Sequence, residues 1–173
     1  MMGDVVRNDS AALDQSYLEC ERIANESSSS FLRAFRTLPK EKRDGIEALY
    51  AFCRRADDVA DGDWMPDFSR FSPQQMGSLR LRALQRSKVL DEKHQSRGTL
   101  DHDAHIARLC ALIYLRDNIQ PIKNDSFPKE KFFLALWHTI ERFDIPSQHL
   151  HSLIDGMEDD PVSYTHLRAH ETY

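Results

Sequence analysis

The strongest constraint on the fold is a long proline-free run from Lys40 to Asp61, bounded by Pro39 and Gly62. Apolar side chains recur along this run every three or four positions: Ile46, Leu49, Tyr50 and Cys53. That period, over a run of this length, is typical of one amphipathic helix. The sequence therefore predicts a helix from Lys40 to about Asp61, closed by Gly62.

The remaining segments carry the same helical period. Helices are predicted over about 11–25, 74–90 and 104–117, then from Pro128 to near Asp144 and onward from Pro146. Loops are predicted over 62–73 and 91–103. No segment shows sustained alternation of apolar and polar residues, and no Asn-Gly or Asp-Gly pair lies between two strand-like runs. The predicted fold class is therefore all-α.

Charge and cysteine content exclude several classes of protein. The formal net charge is −5 and the pI is about 5.9, which argues against nucleic-acid binding. The three cysteines form no CxxC pair, so neither a zinc site nor a disulfide framework is expected. No apolar run approaches the roughly 18 residues of a membrane span. We expect a cytoplasmic protein, and the sequence permits peripheral contact with a membrane.

Three aspartates near the end of the Lys40–Asp61 helix indicate a functional site. At about 100° per residue, Asp57 and Asp61 continue the apolar stripe and Asp58 lies beside it. Inward-facing carboxylates cost several kcal/mol unless they are paired or bind cations. The helix dipole also disfavours anions at a C-terminal end. Because these acids conflict with local stability, a function is the natural explanation.

Oxygen ligands of this kind suit Mg²⁺, which commonly bridges carboxylates to substrate phosphates. The alternative is that the acids emerge into solvent at a fraying helix end, with Arg54 and Arg55 as ion-pair partners. From spacing alone, both interpretations stay open. A second group of acids and imidazoles, comprising Asp101, His102, Asp103 and His105, is expected to lie in a solvated loop.

Two stretches carry a more specific signal. From Ser27 to Gly62 the sequence has a Ser-Phe pair, an A-F-x-x-L-P run, the block YAFCR and then D-D-x-x-D. This closely resembles the opening of squalene and phytoene synthases. The segment RFDIPSQHLHSLIDGMEDD, from Arg142 to Asp160, resembles the stretch that precedes the later helices of that family. The resemblance implies an isoprenoid-synthase-type helical bundle, here truncated.

The resemblance also implies roles for individual residues. Mg²⁺ would be held by Asp57, Asp58 and Asp61. Contacts to the diphosphate and the prenyl chain would come from Ser28, Ser30, Phe31, Tyr50 and Arg54, with Tyr50 and Arg54 nearest the reacting atoms. One departure is Ser29, which stands where some relatives carry a basic residue.

The activity implied by this family is the head-to-head condensation of two prenyl diphosphates, farnesyl or geranylgeranyl, through a cyclopropyl diphosphate. The product would be of the squalene or phytoene type, with NADPH used for the squalene type. Two alternatives are a non-catalytic assembly factor of the same superfamily and a terpene cyclase or chain-elongating prenyltransferase. The three aspartates argue against the first, and the Ser-Phe and YAFCRR context argues against the second.

The later part of the chain departs from the family pattern. The family's second aspartate-rich motif has no match, although Asp159 and Asp160 precede the place where it is expected. Residues 162–172, VSYTHLRAHET, resemble the translation of a transposase-end sequencing adapter. We therefore expect a flexible N-terminus over 1–10, the N-terminal part of a synthase domain over 11–160 and a non-native tail over 161–173. A fragment of this kind is expected to be inactive.

Overall fold

The computed structural model describes residues 10–26, 31–94, 102–121 and 128–159, apart from the side chains of Phe31, Leu32 and His94. Within these ranges the chain forms α-helices and one short 3-10 turn, with no β-strand. The prediction of an all-α fold is therefore confirmed. The helices are α1 (Ser10–Glu26), α2 (Phe31–Phe35), α3 (Lys40–Asp61), α4 (Pro73–His94), α5 (His102–Asp117), α6 (Phe132–Arg142) and α7 (Gln148–Asp159).

The chain divides into two compact units. The first comprises Met1–Arg55 and Asn118–His149, and the second comprises Ala56–Asp117 and Leu150–Tyr173. The first unit thus holds α1, α2, α6 and most of α3. The second unit holds the last turns of α3, all of α4 and α5, and most of α7.

In the first unit, α1 packs against α6 through the buried Ser16. The Ser16 hydroxyl donates to the carbonyl of Lys131 and accepts a hydrogen bond from the backbone N–H of Ala135 at 2.7 Å. The hydroxyl therefore bonds both to the carbonyl and to the N–H group that face each other in the first turn of α6. One turn away, the Tyr17 hydroxyl lies 2.7 Å from Nδ1 of His138. These contacts fix the register of α1 along α6.

A close approach between α3 and α6 depends on Gly45. A Cβ atom added at Gly45 would lie 2.8 Å from Cε2 of Phe143 and 3.3 Å from Cγ2 of Thr139. Both distances are shorter than ordinary van der Waals contact. The absence of a side chain at Gly45 therefore sets how closely these two helices pack.

In the second unit, the core lies mainly between α4 and α5. A cluster of buried apolar side chains includes Leu79, Ala83, Leu90, Ile106, Leu109, Cys110 and Ile113. Helix α4 begins at a capping box, because the Ser72 hydroxyl accepts from the N–H of Gln75 and the Gln75 side chain accepts from the N–H of Ser72. Pro73 occupies the first helical position, where its missing N–H costs no hydrogen bond.

Helix α5 corrects two of our expectations. We predicted one buried face, but every residue from Arg108 to Leu115 is buried, as helices packed on all sides require. We also expected His105 to lie in a solvated loop, whereas it is on α5 and only 3% exposed. Burial, with a smaller effect of the nearby Arg108, lowers the pKa of His105 to about 4. His102 and Asp103 are exposed, and Asp101 lies outside the described residues.

The end of α6 agrees with the break that was predicted before Pro146. The helix ends at Arg142, and Asp144 adopts a left-handed conformation with φ of 49°. The N–H of Ile145 then donates to the carbonyl of Ile140 at 3.0 Å. This bond, from the second residue beyond the cap to the third from the helix end, is that of a Schellman motif.

Several predictions fall on residues outside the described ranges. Residues 1–9 and 160–173 are among them, so the predicted flexible N-terminus, apart from Ser10 in α1, and the predicted non-native tail stay predictions. The same holds for the Ser27–Ser30 block. In the described part of the chain, no helix is both long and apolar enough to cross a membrane.

Candidate metal and diphosphate site

The aspartate-bearing helix α3 ends in a Schellman motif. Gly62 has a φ of 82°, which glycine adopts without strain, and its N–H donates to the carbonyl of Val59 at 3.2 Å. The N–H groups of Asp63 and Trp64 both donate to the carbonyl of Asp58, at 2.8 and 3.2 Å. Hydrogen bonds from the following loop therefore hold the last turn of the helix closed.

The three aspartates of α3 differ in exposure. Asp57 and Asp61, one turn apart, are exposed, whereas Asp58 is only 5% exposed. The prediction that Asp57 and Asp61 continue an inward stripe was therefore wrong. The most buried positions of α3 are instead mostly small: Ala48, Ala51, Phe52, Ala56 and Val59. Small side chains allow helices to pack closely. The larger apolar residues of the predicted stripe are only half-buried: Ile46, Leu49, Tyr50 and Cys53.

The exposed pair suits a cation that is only partly held by protein. Mg²⁺ usually keeps several waters and binds through one or two carboxylates together with substrate phosphates. Asp57 and Asp61 supply such a pair, since residues four apart on a helix are neighbours on its surface. Among the described residues, no three His, Cys, Asp or Glu side chains converge on one point. Two carboxylates could hold Mg²⁺ only together with water or substrate oxygens.

The remaining predicted site residues lie earlier in the chain. Tyr50 and Arg54 are half-buried and one turn apart on the part of α3 that belongs to the first unit. Phe31 begins α2, but its side chain lies outside the described residues, as do Ser28 and Ser30. The structure therefore describes the predicted contacts of α3 and leaves those of the Ser-Phe segment as predictions.

Sequence reasoning missed Glu47, which lies one turn before Tyr50 on α3 and is half-buried. Burial raises the pKa of Glu47, and the negative charges of Glu21 and Asp44 raise it further. Its spacing from Arg54, two turns away, was the signal that could have placed it on the same side of the helix. A carboxyl group with a raised pKa accepts and releases protons nearer to neutral pH.

The loop after the aspartates is anchored by aromatic rings. Phe68 and Phe71 pack edge to face against Tyr114 of α5, with ring centroids 5.4 and 5.7 Å from the tyrosine ring. The two phenylalanine rings are 5.2 Å apart. We call Phe68, Phe71 and Tyr114 the aromatic clasp. The Asp67 carboxylate caps the 3-10 turn Phe68–Arg70 by accepting a hydrogen bond from the N–H of Ser69 at 2.9 Å.

The acidic run of α7 is engaged in ion pairs within the second unit. Glu158 is 1% exposed, accepts from Nε of Arg86 at 2.6 Å and lies 3.2 Å from Arg116. Asp155 pairs with Arg116, and Asp159 pairs with Lys93. These carboxylates are thus already paired with cations of α4 and α5, and the buried Glu158 is the one whose burial requires such partners.

A family model for squalene/phytoene synthase matches residues 24–173, a range that includes α3 and its three aspartates. The phytoene synthase of Mycobacterium tuberculosis is 42% identical over 55 residues, which are 32% of this chain and 18% of that protein. The 15-cis-phytoene synthase of Synechococcus elongatus is 36% identical over 52 residues, 30% of this chain and 17% of that protein.

A third relative is the 4,4'-diapophytoene synthase of Staphylococcus haemolyticus, 41% identical over 51 residues, which are 30% of this chain and 18% of that protein. The aligned stretches thus span less than a fifth of the length of these curated relatives. No solved structure matches the chain.

Proposed function

Because the chain belongs to the squalene/phytoene synthase family, we propose that it is part of a transferase that joins two prenyl diphosphates head to head. The observation that carries this proposal is the exposed pair Asp57 and Asp61, one turn apart at a closed helix end. The relatives named as phytoene and diapophytoene synthases support a product of the phytoene type. A squalene-type product would additionally require NADPH.

Each side chain has a task in this proposal. Asp57 and Asp61 hold Mg²⁺, which when bound neutralises charge on the departing diphosphate. Asp58 would support that pair through its carboxylate, and its backbone carbonyl accepts the two loop N–H groups that close the last turn of α3. Arg54 binds diphosphate oxygens through its planar guanidinium fork.

Other residues bind the rest of the substrate. In this proposal Tyr50 would lie beside the allylic carbon. Ser28 and Ser30 would donate hydroxyl groups to a diphosphate, and Phe31 would line the prenyl pocket. Loss of diphosphate from one substrate leaves an allylic cation, which the double bond of the second substrate attacks. The resulting cation loses a proton as the three-membered ring closes, which gives the cyclopropyl diphosphate. Apolar and aromatic walls exclude water, which would otherwise quench the cation.

The metal site can be tested on this chain without turnover. Isothermal titration with inorganic diphosphate, with and without Mg²⁺, measures whether binding depends on the metal. Asp57→Asn and Asp61→Asn should each weaken Mg²⁺-dependent binding by about tenfold or more, the cost of losing one charged ligand. Asp63→Asn is the matched control, because Asp63 is also exposed and lies just beyond the helix end.

The control variant should bind diphosphate like the wild type. Equal binding by all three variants and the wild type would refute the assignment of Asp57 and Asp61.

We also propose that the 173-residue chain alone has negligible synthase activity. Its sequence has no match to the second aspartate-rich motif of the family, and the α7 acids nearest that place are ion-paired. Incubation with farnesyl or geranylgeranyl diphosphate and Mg²⁺, followed by analysis of the extracted hydrocarbons, should detect no product. Formation of squalene, phytoene or a cyclopropyl diphosphate would contradict this.

A further inference from the structure

The loop between α3 and α4, residues 62–72, has stabilising contacts at its start, in its second half and at its end. At its start, Gly62, Asp63 and Trp64 donate backbone hydrogen bonds into the last turn of α3. At its end, Ser72 and Gln75 form the capping box of α4. Between these points, Phe68 and Phe71 rest on Tyr114, which is 6% exposed. All of these residues belong to the second unit.

Backbone hydrogen bonds connect the loop that carries Phe68 and Phe71 to the last turn of α3, which carries the aspartates. The Asp58 carbonyl accepts from Asp63 and Trp64, so the hydrogen bonds that close the last turn come from the loop. Helix ends fray when such bonds are released, and the last turn carries Asp58 and Asp61. If the loop left α5, the distance between the Asp57 and Asp61 carboxylates would vary.

We propose that Tyr114 is a positioning residue that holds the aspartate-bearing end of α3 in register through the aromatic clasp. The ring of Tyr114 meets both phenylalanine rings near a right angle, at 82° and 65°, a favourable geometry for aromatic pairs. The proposal deepens the proposed function, on which its consequence for metal binding rests. Its structural part concerns only the second unit and can be decided separately.

Amide hydrogen exchange, followed by mass spectrometry on peptides covering residues 58–72, tests the structural part directly. Tyr114→Leu removes the ring but keeps an apolar side chain, and Tyr114→Phe keeps the ring. Leu112→Ala is the matched control, because Leu112 is fully buried on the same helix but is not in the cluster against which Phe68 and Phe71 pack. All proteins are compared at a temperature where each is folded.

We expect Tyr114→Leu to speed exchange in residues 58–72 by about tenfold, the loss of two edge-to-face contacts. Tyr114→Phe should exchange like the wild type. Leu112→Ala should lower the melting temperature but leave exchange in 58–72 unchanged relative to the rest of the chain. Equal local exchange in Tyr114→Leu and Leu112→Ala would overturn the proposal, because Tyr114 would then contribute only to general stability.

Titration of the same variants with inorganic diphosphate and Mg²⁺ tests the functional part. Tyr114→Leu should weaken Mg²⁺-dependent binding by about tenfold, while Tyr114→Phe and Leu112→Ala should not. Unchanged affinity in Tyr114→Leu, despite faster exchange, would show that the clasp does not position the aspartates for binding. Absence of Mg²⁺-dependent binding in the wild type would refute the proposed function, and the exchange data would still decide the role of Tyr114 in holding α3.

Discussion

Nε of Arg86 on α4 donates to Oε2 of Glu158 on α7 over 2.6 Å, and the Glu158 side chain is only 1% exposed. Arg116 of α5 lies 3.2 Å from the other carboxylate oxygen. A single buried carboxylate therefore joins three helices of the second unit. The carboxylate is the buried member of these pairs, and its burial depends on having cationic partners.

We expect Glu158→Ala to lower the free energy of unfolding by about 2–3 kcal/mol, because two half-buried guanidinium groups would lose a buried partner while Arg116 keeps Asp155. Asp159→Ala is the matched control, since Asp159 pairs with the more exposed Lys93. That change should cost about 1 kcal/mol or less. Urea denaturation of both variants measures the difference, and similar losses would show that Glu158 is not specially important.

Gly45→Ala tests the close approach of α3 to α6. An alanine would normally stabilise a helix by about 0.5–1 kcal/mol relative to glycine. At Gly45 the new methyl group would press on Phe143 and the buried Thr139, which offsets that gain. Gly77→Ala on α4 is the control, because nothing lies within 4 Å of a Cβ added there.

Thermal and urea unfolding should show Gly45→Ala to be about 0.5–1 kcal/mol less stable than Gly77→Ala. Equal stability of the two variants would mean that α6 moves away from α3 without cost.

Some helix boundaries were predicted from sequence, although α6 begins at Phe132 and not at the predicted Pro128. Pro39 and Gly62 bound α3, and Pro146 indicated the stop after α6, because these residues restrict the backbone locally. Which face of a helix is buried depends on its neighbours, and this could not be predicted. The small residues Ala48 and Ala56 are buried on α3, where hydrophobic strength favoured Ile46 and Leu49.

We predict that the free energy of unfolding falls in acid because His105 is buried in its neutral form. Its pKa is about 4 in the folded protein, below the ordinary value of 6.5, so the unfolded chain binds a proton first as pH falls. The stabilisation is complete above about pH 6.5 and is lost as pH falls towards 4, amounting to about 3 kcal/mol at most. Arg108 and His102 also disfavour the charged form, whereas Asp91 opposes the shift.

Urea denaturation of the wild type and His105→Gln at several pH values between 7 and 4 measures this effect. The carboxylates contribute equally to both proteins, so the difference isolates His105. The free energy of unfolding should fall more steeply in the wild type. An equal fall in the free energy of unfolding of the two proteins would contradict the assignment of this pH dependence to His105.

Asp144→Gly should stabilise the protein. Asp144 has a φ of 49°, which costs L-residues energy and glycine almost none. We expect a gain of about 0.5–1 kcal/mol in the free energy of unfolding. The control is Asp63→Gly, where φ is not positive and the added freedom of the unfolded chain should be destabilising. A lower free energy of unfolding in Asp144→Gly would contradict the claim that the backbone of Asp144 is strained.

The sequence named residues for the candidate site, and those assignments stay predictions; it did not predict how the residues are arranged. The identity of the three aspartates followed from their spacing and context, yet sequence did not distinguish the buried Asp58 from the exposed Asp57 and Asp61. That difference arises from the packing of the second unit. Tyr114 could not be linked to the loop either, because its contact with Phe68 joins residues far apart in the chain.

The burial of α5 on all sides also affects how the sequence can change. A helix with one wet face, such as α1, tolerates polar replacements at every third or fourth position. From Arg108 to Leu115, α5 has no such position, since each side chain is enclosed. In a saturation-mutagenesis library selected for folded protein, we expect depletion along this stretch without a helical period. Natural variants should accordingly accumulate in α1 and α4 before they appear in α5.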